Sequence, residues 1–302
     1  MITVFTPTYN RAKKLEKLYN SLKSQSDHDF VWLVIDDGSS DNTCELIEKW
    51  KKTMKIEYIY QNNSGKHIAI NNAIKNCKTE YMICVDSDDE LSNNAIYMIN
   101  NNIKKSFKKD IWAVVGPRTK TAGIKNNKWT IGDNTCCKFA DIYCRYKYVG
   151  DTYIIIKTEY IKSFKFPKFD NEKLIPENIL YDYLDNMDYY ISTIDYPLYI
   201  SEYYEDGYTK NSTKYLLASP KGTSLSNLSG ACNKFNSFKK RVLCYSRFLS
   251  INKLFKIKNN DVFKEYKVNN IVRMFSIILF PIMFYHYLKK GVSNEKNHIN
   301  NI

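Results

Sequence analysis

Within the first 120 residues, short apolar runs alternate with helix-spaced apolar positions, and this alternation leaves the chain few possible architectures. The runs ITVFT (2–6), FVWLVI (30–35), KIEYIY (55–60), EYMICV (80–85) and IWAVV (111–115) have the length of strands. Between them, Leu15, Leu18 and Leu22 share one helical face. So do Ile70, Ala73, Ile74 and Cys77, and likewise Ile96, Ile99 and Ile103. Asn42, with Glu45 three residues on, has the form of a capping box before Leu46-Ile47. Strand–helix–strand repetition at this spacing predicts right-handed βαβ units and an α/β fold with a mixed, mainly parallel sheet flanked by helices. No repeat of 20–50 residues is present. Further on, 118–132 (RTKTAGIKNNKWTIG) reads as a polar excursion with a hairpin turn at Lys125-Asn126-Asn127-Lys128. Residues 152–157 read as a strand, and 176–190 as a helix with Pro176 in its first turn.

The polar motifs share an address. Thr6-Pro7-Thr8-Tyr9-Asn10 follows the first strand, Asp36-Asp37-Gly38-Ser39-Ser40-Asp41 the second, Asn62-Asn63-Ser64-Gly65-Lys66 the third and Asp86-Ser87-Asp88-Asp89 the fourth. Parallel strands present their carboxyl ends along one edge, where open α/β sheets bind ligands. Four loops distant in sequence should therefore meet at one cleft.

The last of these loops is the most unusual. VDSDDE (85–90) places four acids in six residues, in a chain of net charge +13. Clustered carboxylates repel and partly protonate unless a cation neutralises them. Asp86 and Asp88 can turn their oxygens to one hard cation, and Mg²⁺ or Mn²⁺ is commonly shared between one or two carboxylates and substrate phosphates. Taken alone, D-x-D fits equally a solvated loop whose Asp89 and Ser92 favour the next helix start. Convergence with the other loops favours the metal. In the second loop, Gly-Ser-Asp serves as strand-to-helix punctuation, or one Asp accepts the imide N–H of a uracil-like base edge. Gly65-Lys66 at a helix start offers an anion site with an added cation. Pro7, Thr8 and Tyr9 can floor a base by stacking and backbone contact, while packing is the other use of Tyr9.

In this order the loops FTPTYNR, VWLVIDDGSSDNT, IYQNNSGKHIAINNAI and MICVDSDDELSNNAI resemble the family 2 glycosyltransferases of the GT-A fold. GDTYIIIKTEYIKSFKFPKF, IPENI and SEYYEDGYTKNS extend the likeness over roughly residues 1–213. It is nearest to the branch that builds bacterial capsule, lipopolysaccharide or cell-wall glycans. The resemblance implies a GT-A (Rossmann-like) catalytic domain over 1–210, with a nucleotide-sugar half to about 117 and an acceptor half from 118. It also implies a nucleotide-sugar donor, UDP-linked in this reading, a divalent Mn²⁺ or Mg²⁺, and inversion at the anomeric carbon. Carried over by position, Asp37 contacts the base, Asp86 the ribose or metal, and Asp88 is the principal metal ligand. Pro7, Thr8, Tyr9, Gly65, Lys66 and Asn71 line the nucleotide site. Glu177 stands where the family places its base, although Asn178 follows it here in place of the commoner Asp. Asp151 and Asp182 are the alternatives, and dipole stabilisation of the helix start is the other use of Glu177. Glu205-Asp206-Gly207-Tyr208-Thr209-Lys210 is either a loop closing over the donor or a simple turn.

Two rivals stay in view. Nucleotidyl transfer to sugar phosphates usually begins with a Gly-rich loop bearing Arg or Lys, and FTPTYNR lacks such glycines. A non-catalytic glycan-binding or scaffolding protein would keep the fold without the chemistry.

Charge sets off the C-terminal third. Residues 211–302 hold 16 Lys and Arg against Asp261, Glu265 and Glu295, so they carry the whole net charge. This region reads as a basic helical extension with interleaved Phe, Leu and Tyr. MFSIILFPIMFY (274–285) is twelve residues long, short of the roughly 20 a bilayer span needs, and Pro281 interrupts it. Peripheral attachment to the anionic inner face of the membrane is the expectation, with about 1 kcal/mol per basic residue near the surface. A helical subdomain packed on the catalytic domain, or on a second copy as a homo-oligomer, is the alternative. Nucleic-acid binding is disfavoured because residues 1–210 carry no surplus positive charge. The start of the chain lacks a charged leader before an apolar segment, so the expected location is cytoplasmic. Eight cysteines without a C-x-x-C pair suggest reduced thiols rather than zinc or disulfides. The glycan or lipid-linked glycan acceptor is implied by the family branch alone.

Overall fold

Strands β1 (Ile2–Thr8), β2 (Phe30–Asp36), β3 (Ile56–Tyr60) and β4 (Tyr81–Cys84) form the parallel half of an eight-stranded sheet. With β6 (Ile111–Pro117), β7 (Cys136–Cys137), β8 (Thr152–Lys157) and β9 (Tyr190–Thr193), the order is β3-β2-β1-β4-β8-β6-β9-β7. β8 runs antiparallel to both β4 and β6, and β7 antiparallel to β9, so the sheet is mixed and mainly parallel, as expected. β5 (Glu90–Leu91) and β10 (Tyr199–Ile200) make a separate antiparallel pair. The structure is a computed structural model and describes residues 1–120, 128–201, 214–258 and 261–299. The expected hairpin turn at 125–128 and the 205–210 loop lie at least partly outside the described residues.

Helices α1 (Ala12–Lys23), α2 (Thr43–Trp50), α3 (Lys66–Asn76) and α4 (Ala95–Asn101) follow the first four strands in chain order. Each buries the apolar face read from its spacing: Leu15, Leu18 and Leu22 on α1, Ile70, Ala73 and Ile74 on α3, and Ile96 and Ile99 on α4. Tyr19 of α1 stacks on Trp50 of α2 at 4.4 Å between ring centroids, and both stack against Trp32 of β2. Aromatic stacking thus fixes two helices on one face of the sheet. A short helix α5 (Phe139–Cys144) precedes β8.

The chain packs as two compact units, one of Met1–Lys165 with Asp188–Tyr203 and the other of Phe166–Met187 with Tyr204–Ile302. The first contains the sheet. The second joins α6 (Asn178–Asn186) to α7 (Pro220–Cys232), α8 (Phe238–Leu254), α9 (Asp261–Lys264) and α10 (Asn270–Ile299). The division drawn at residue 210 follows motifs and charge, whereas these units follow packing, which groups 166–187 with the C-terminal helices. Glu172 is one reason: its carboxylate accepts the N–H groups of Lys221 at 2.9 Å and Gly222 at 2.8 Å, at the start of α7. A carboxylate there satisfies orphan donors and suits the helix dipole. Gly222 is required for the approach, because a Cβ would stand 2.2 Å from the Leu174 carbonyl oxygen.

Asp182 is a second tie in this unit. It is 7% exposed, and its carboxylate accepts from Asn233 Nδ2 (2.7 Å), Asn178 Nδ2 (2.9 Å) and Ser229 Oγ (3.1 Å). The amides are fixed in this orientation, since Asn178 Nδ2 also donates to the Ser226 carbonyl at 3.3 Å and Asn233 Oδ1 accepts the Phe235 N–H. Asp182→Asn therefore turns an N–H₂ toward fixed donors and is expected to cost about 1–3 kcal/mol. Burial pushes the Asp182 carboxyl above its usual range, against the Asn233 and Asn178 bonds. A raised folded-state pKa favours the protonated form, so this contribution is full in acid and is lost as pH rises through the folded value. The gap between wild type and Asp182→Asn in urea unfolding should accordingly narrow as pH rises above the ordinary carboxylate range.

Three local expectations are corrected. The helix read over 176–190 ends at Asn186, because Asp188 takes a left-handed φ of 62° and Tyr190 begins β9 beside β6. The capping box at Asn42 makes no side-chain bond. Asp41 takes that place, accepting the Thr43 hydroxyl at 2.6 Å and its N–H at 3.1 Å. Pro281 does not end the apolar C-terminal segment, which continues as one helix. By length and composition Asn270–Lys289 is long and apolar enough to cross a membrane, because the helix extends beyond the twelve residues of 274–285 at both ends.

Candidate functional site

Sheet register explains why the polar loops meet. Thr8 pairs with Asp36, Asp36 with Tyr60, and Phe5 with Cys84, so β1 to β4 deliver their loops along one edge. β6 ends at the same edge, since Pro117 pairs with Thr152 at the start of antiparallel β8.

The first and second loops are tied together. The Asn10 N–H donates to Ser39 Oγ at 2.9 Å, and Asn10 Oδ1 accepts the Ser40 N–H at 2.8 Å. Asp41 Oδ2 accepts the Ala12 N–H at 3.0 Å, capping α1 from the neighbouring loop. The second and third loops are tied by Asp37. Its carboxylate, 7% exposed, accepts from Gln61 Nε2 (2.7 Å), Ser64 N–H (2.7 Å) and Gly65 N–H (2.8 Å). The Gly65 amide, read from the sequence with Lys66 as an anion site, is thus engaged by Asp37, as is the Ser64 amide. Gly65 has φ 94° and Gly38 φ 87°, which glycine tolerates best. At Gly38 a Cβ would also stand 2.9 Å from the Asn63 nitrogen.

The acids of the fourth loop meet cations from three other segments. Lys66, first residue of α3, places Nζ 2.6 Å from Asp86 Oδ1. Arg118, next after β6, reaches Asp86 Oδ2 at 3.4 Å and Asp89 Oδ2 at 3.3 Å. Arg11 contacts Asp88 Oδ2 at 2.9 Å, with Lys14 at 3.8 Å from the same oxygen. Asp89 is 5% exposed and also accepts the Tyr199 hydroxyl at 2.8 Å, while the Arg118 guanidinium lies 4.0 Å over the Tyr199 ring. Asp86 accommodates its negative charge and Asp89 resists it. Burial pushes Asp86 up, but Lys66 and Arg118 overcome it and hold the carboxyl at about 2. Burial, with Asp86 close by, pushes Asp89 up to about 7 despite Arg118.

These contacts bring Asp37, Gly65, Lys66, Asp86 and Asp88 onto one edge with Pro7 and Thr8. Tyr9 is 46% exposed beside them. Thr8 is 3% exposed, and its hydroxyl has no hydrogen-bond partner among the described residues. Asn71 lies on α3, where its neighbour Asn72 donates to Gln61 Oε1 at 2.6 Å. Asp151 is exposed just before β8, and its carbonyl accepts the Arg118 N–H at 3.0 Å. Glu177 belongs to the other unit, at the N-cap of α6, where the Tyr181 hydroxyl donates to its Oε2 at 2.9 Å. Asp182, its neighbour in sequence, has both oxygens committed to the network described above.

Sequence reasoning missed Arg11, Arg118 and Tyr199. Arg118 had a signal: an arginine directly after a wholly buried strand, on an edge already rich in acids. Tyr199 had none, because YPLYI reads as an apolar run.

Two carboxylates from one turn are a chemically apt donor set for a hard divalent ion, which takes oxygen ligands and leaves the rest to phosphate and water. Asp86 and Asp88 side chains are part-exposed, at 27% and 23%. Asp89 is spent on Arg118 and Tyr199. Among the described residues, no group of three or more His, Cys, Asp or Glu forms a complete metal cage.

Residues 3–168 match the family described as glycosyl transferase family 2. The chain belongs to glycosyl transferase family 2. The family 2 match ends before Glu177, so that residue lies beyond it. Among curated proteins, the chain is 28% identical over 142 residues to the poly-beta-1,6-N-acetyl-D-glucosamine synthase of Staphylococcus epidermidis. It is 29% identical to the synthase of the same name from Staphylococcus aureus (strain COL). Each match takes in 47% of this chain and 33% of the relative, so the chain spans about a third of the length of these relatives. Among solved structures, S. aureus TarS 1-349 superposes with a TM-score of 0.62 at 17% identity, over 96% of this chain and 91% of that one. TarS 1-349 in complex with UDP-GlcNAc gives 0.60 at 19% identity, over 91% and 78%. The mannosyltransferase PcManGT of Pyrobaculum calidifontis, in complex with GDP-Man and Mn²⁺, gives 0.55 at 15% identity, over 97% and 86%. These likenesses establish the GT-A fold expected from the sequence.

Proposed function

We propose that this family 2 member moves a sugar of the N-acetylglucosamine type from a uridine diphosphate donor to a hydroxyl of a glycan or lipid-linked glycan, with inversion. The setting is bacterial surface polysaccharide synthesis on the cytoplasmic face of the membrane. The observation that carries the reading is the meeting of Asp86 and Asp88 with Lys66, Arg118 and Arg11 on the edge that also holds Asp37. An anionic diphosphate needs cations, and a divalent ion needs carboxylates. This edge supplies both.

In this reading Asp88 and Asp86 would hold Mn²⁺ or Mg²⁺, which supplies charge stabilisation to the departing diphosphate. Lys66, Arg118 and Arg11 would shift part of their pairing from the carboxylates to phosphate oxygens. The partnerless Thr8 hydroxyl, with Pro7 and Tyr9, would meet the nucleoside. An unpaired buried hydroxyl costs about 1–3 kcal/mol, which a ligand can offset. Asp37 would shape the base end by holding the Gly65 loop, with Asn71 on the helix behind it. Glu177 would take the acceptor proton, since a carboxylate suits a general base and Asp182 has no uncommitted oxygen. Asp151 is the next candidate. Residues 1–117 would form the nucleotide-sugar half and 118–210 the acceptor half, and the basic 211–302 region would hold the enzyme at the membrane. TarS in complex with UDP-GlcNAc and the two synthases' names support the donor class, and PcManGT with Mn²⁺ supports the metal.

A thermal-shift panel of nucleoside diphosphates with and without Mn²⁺ tests this. UDP with Mn²⁺ is expected to raise Tm well above either alone, because binding stabilises by the logarithm of ligand over Kd. Equal shifts for every diphosphate would remove the uridine assignment, and no dependence on metal would remove the metal's role.

A further inference from the structure

We propose that the outer face of α10 embeds in the plane of an anionic lipid surface, so that the helix lies along the bilayer and does not cross it. This rests on the membrane attachment in the preceding reading and is independent of the transfer chemistry.

α10 is apolar on two sides. One side packs on its own unit: Val272 and Ser276 are buried, the Ser276 hydroxyl is shared between the Val272 carbonyl of its own helix at 2.7 Å and the Val242 carbonyl at 3.0 Å, and Phe275 packs edge-on against Phe238. The other side carries Ile271, Met274, Ile277, Ile278, Ile282 and Tyr285, all between 56% and 70% exposed. At the angular spacing of an α-helix these six fill an arc of roughly 140°. A helix apolar all round belongs in a core or in lipid. No described residue covers this arc, and apolar side chains this exposed mark an interaction surface.

Charge selects the occupant. The region from 211 onward has 16 basic residues against three acidic ones. A second copy docked face to face would bring two such regions together, whereas anionic lipid complements them. A cation already flanks the helix: Lys253 Nζ lies 5.4 Å and 5.0 Å from the ring centroids of Phe280 and Phe284. Adjacent Ile277 and Ile278 also make the arc wider than the narrow seam of a two-stranded coil.

Packing selects the orientation. Asn270–Lys289 has the length to span. Its inner face, however, packs on α8 through buried Val272 and Ser276 and through Phe275 against Phe238, and α8 carries Lys239, Lys240, Arg241, Arg247 and Lys253. Crossing would draw those charges toward hydrocarbon or strip the two helices apart, and both are unfavourable. Lying in the interface buries the outer arc and leaves the inner pairing intact.

The test uses the full chain and vesicles of phosphatidylcholine, with and without phosphatidylglycerol. Wild type should co-sediment with the phosphatidylglycerol vesicles. Ile278→Asp with Ile282→Asp should lower partitioning about a hundredfold, near tenfold for each buried side chain lost. Both positions are exposed, and an unchanged thermal melt without lipid establishes that the variant is folded. Ile271→Trp, Ile278→Trp and Leu288→Trp, read against the wild-type fluorescence, should be quenched equally by bromines placed shallow in the acyl chains. If wild type binds and the Asp variant binds as well, the α10 face is refuted while membrane attachment stands. If wild type binds neither vesicle, attachment itself is refuted. Deep quenching at Ile278 alone means a span, and a dimer dissolved by the Asp substitutions without lipid binding means a second copy. Either result overturns the proposal.

Discussion

Asp88→Asn is expected to lower sugar transfer by about a thousandfold or more and to abolish the manganese-dependent part of nucleotide binding. The side chain is part-exposed at the sheet edge and, like Asp86, stands outside the buried Asp89–Tyr199 pairing. Removing its charge takes away half of the anionic oxygen donors and leaves Arg11 and Lys14 facing an amide. The cations remain, so the variant should still bind UDP weakly, with a Tm shift that no longer responds to Mn²⁺. That pattern separates a lost metal ligand from a collapsed loop, which would remove both responses. Glu90→Gln is the control: Glu90 pairs with Lys17 at 3.0 Å in the same turn, and its loss should leave turnover within a few-fold. Wild-type metal response in Asp88→Asn would refute the ligand assignment.

The elements were legible because their signals are local. Strand-length apolar runs and helical spacing located β1 to β4, β6 and β8, and buried Leu15, Leu18 and Leu22 follow directly from their period. The shared edge was legible from a topological rule. What each loop does on that edge was not. Asp37 reads as a free carboxylate in the sequence, yet its partners, Gln61, Ser64 and Gly65, lie 24 to 28 residues away. Arg118 and Tyr199 reach the acids from 29 and 110 residues beyond Asp89. Such contacts depend on β8 entering the sheet between β4 and β6 and on β10 pairing with β5, an order no local pattern encodes. Asp182 differs again: in sequence it is one more acid on a helix, and the Asn178, Ser229 and Asn233 bonds that occupy its oxygens come from the fold.

Glu177→Gln is expected to reduce kcat by about 10²–10⁴-fold while leaving UDP and Mn²⁺ binding as in wild type. The substitution preserves size and retains an oxygen that can accept the Tyr181 hydroxyl, which donates to Glu177 Oε2 at 2.9 Å. It removes the negative charge and, with it, the ability to take a proton. A sugar hydroxyl is a poor nucleophile, so the loss should appear in kcat, with the donor's KM nearly unchanged. Tyr181→Phe distinguishes orientation from proton transfer: it frees the carboxylate from one hydrogen bond and should cost far less than Glu177→Gln. Asp151→Asn is the necessary companion, because Asp151 is exposed on the edge where Arg118 meets the acids. If Asp151→Asn loses the rate and Glu177→Gln keeps it, the base resides on the sheet unit and α6 is a supporting element. If Glu177→Gln loses the rate alone, proton removal belongs to the helical unit. Donor activation by Asp88 and Lys66 and acceptor activation by Glu177 would then fall to separately packed parts of the chain.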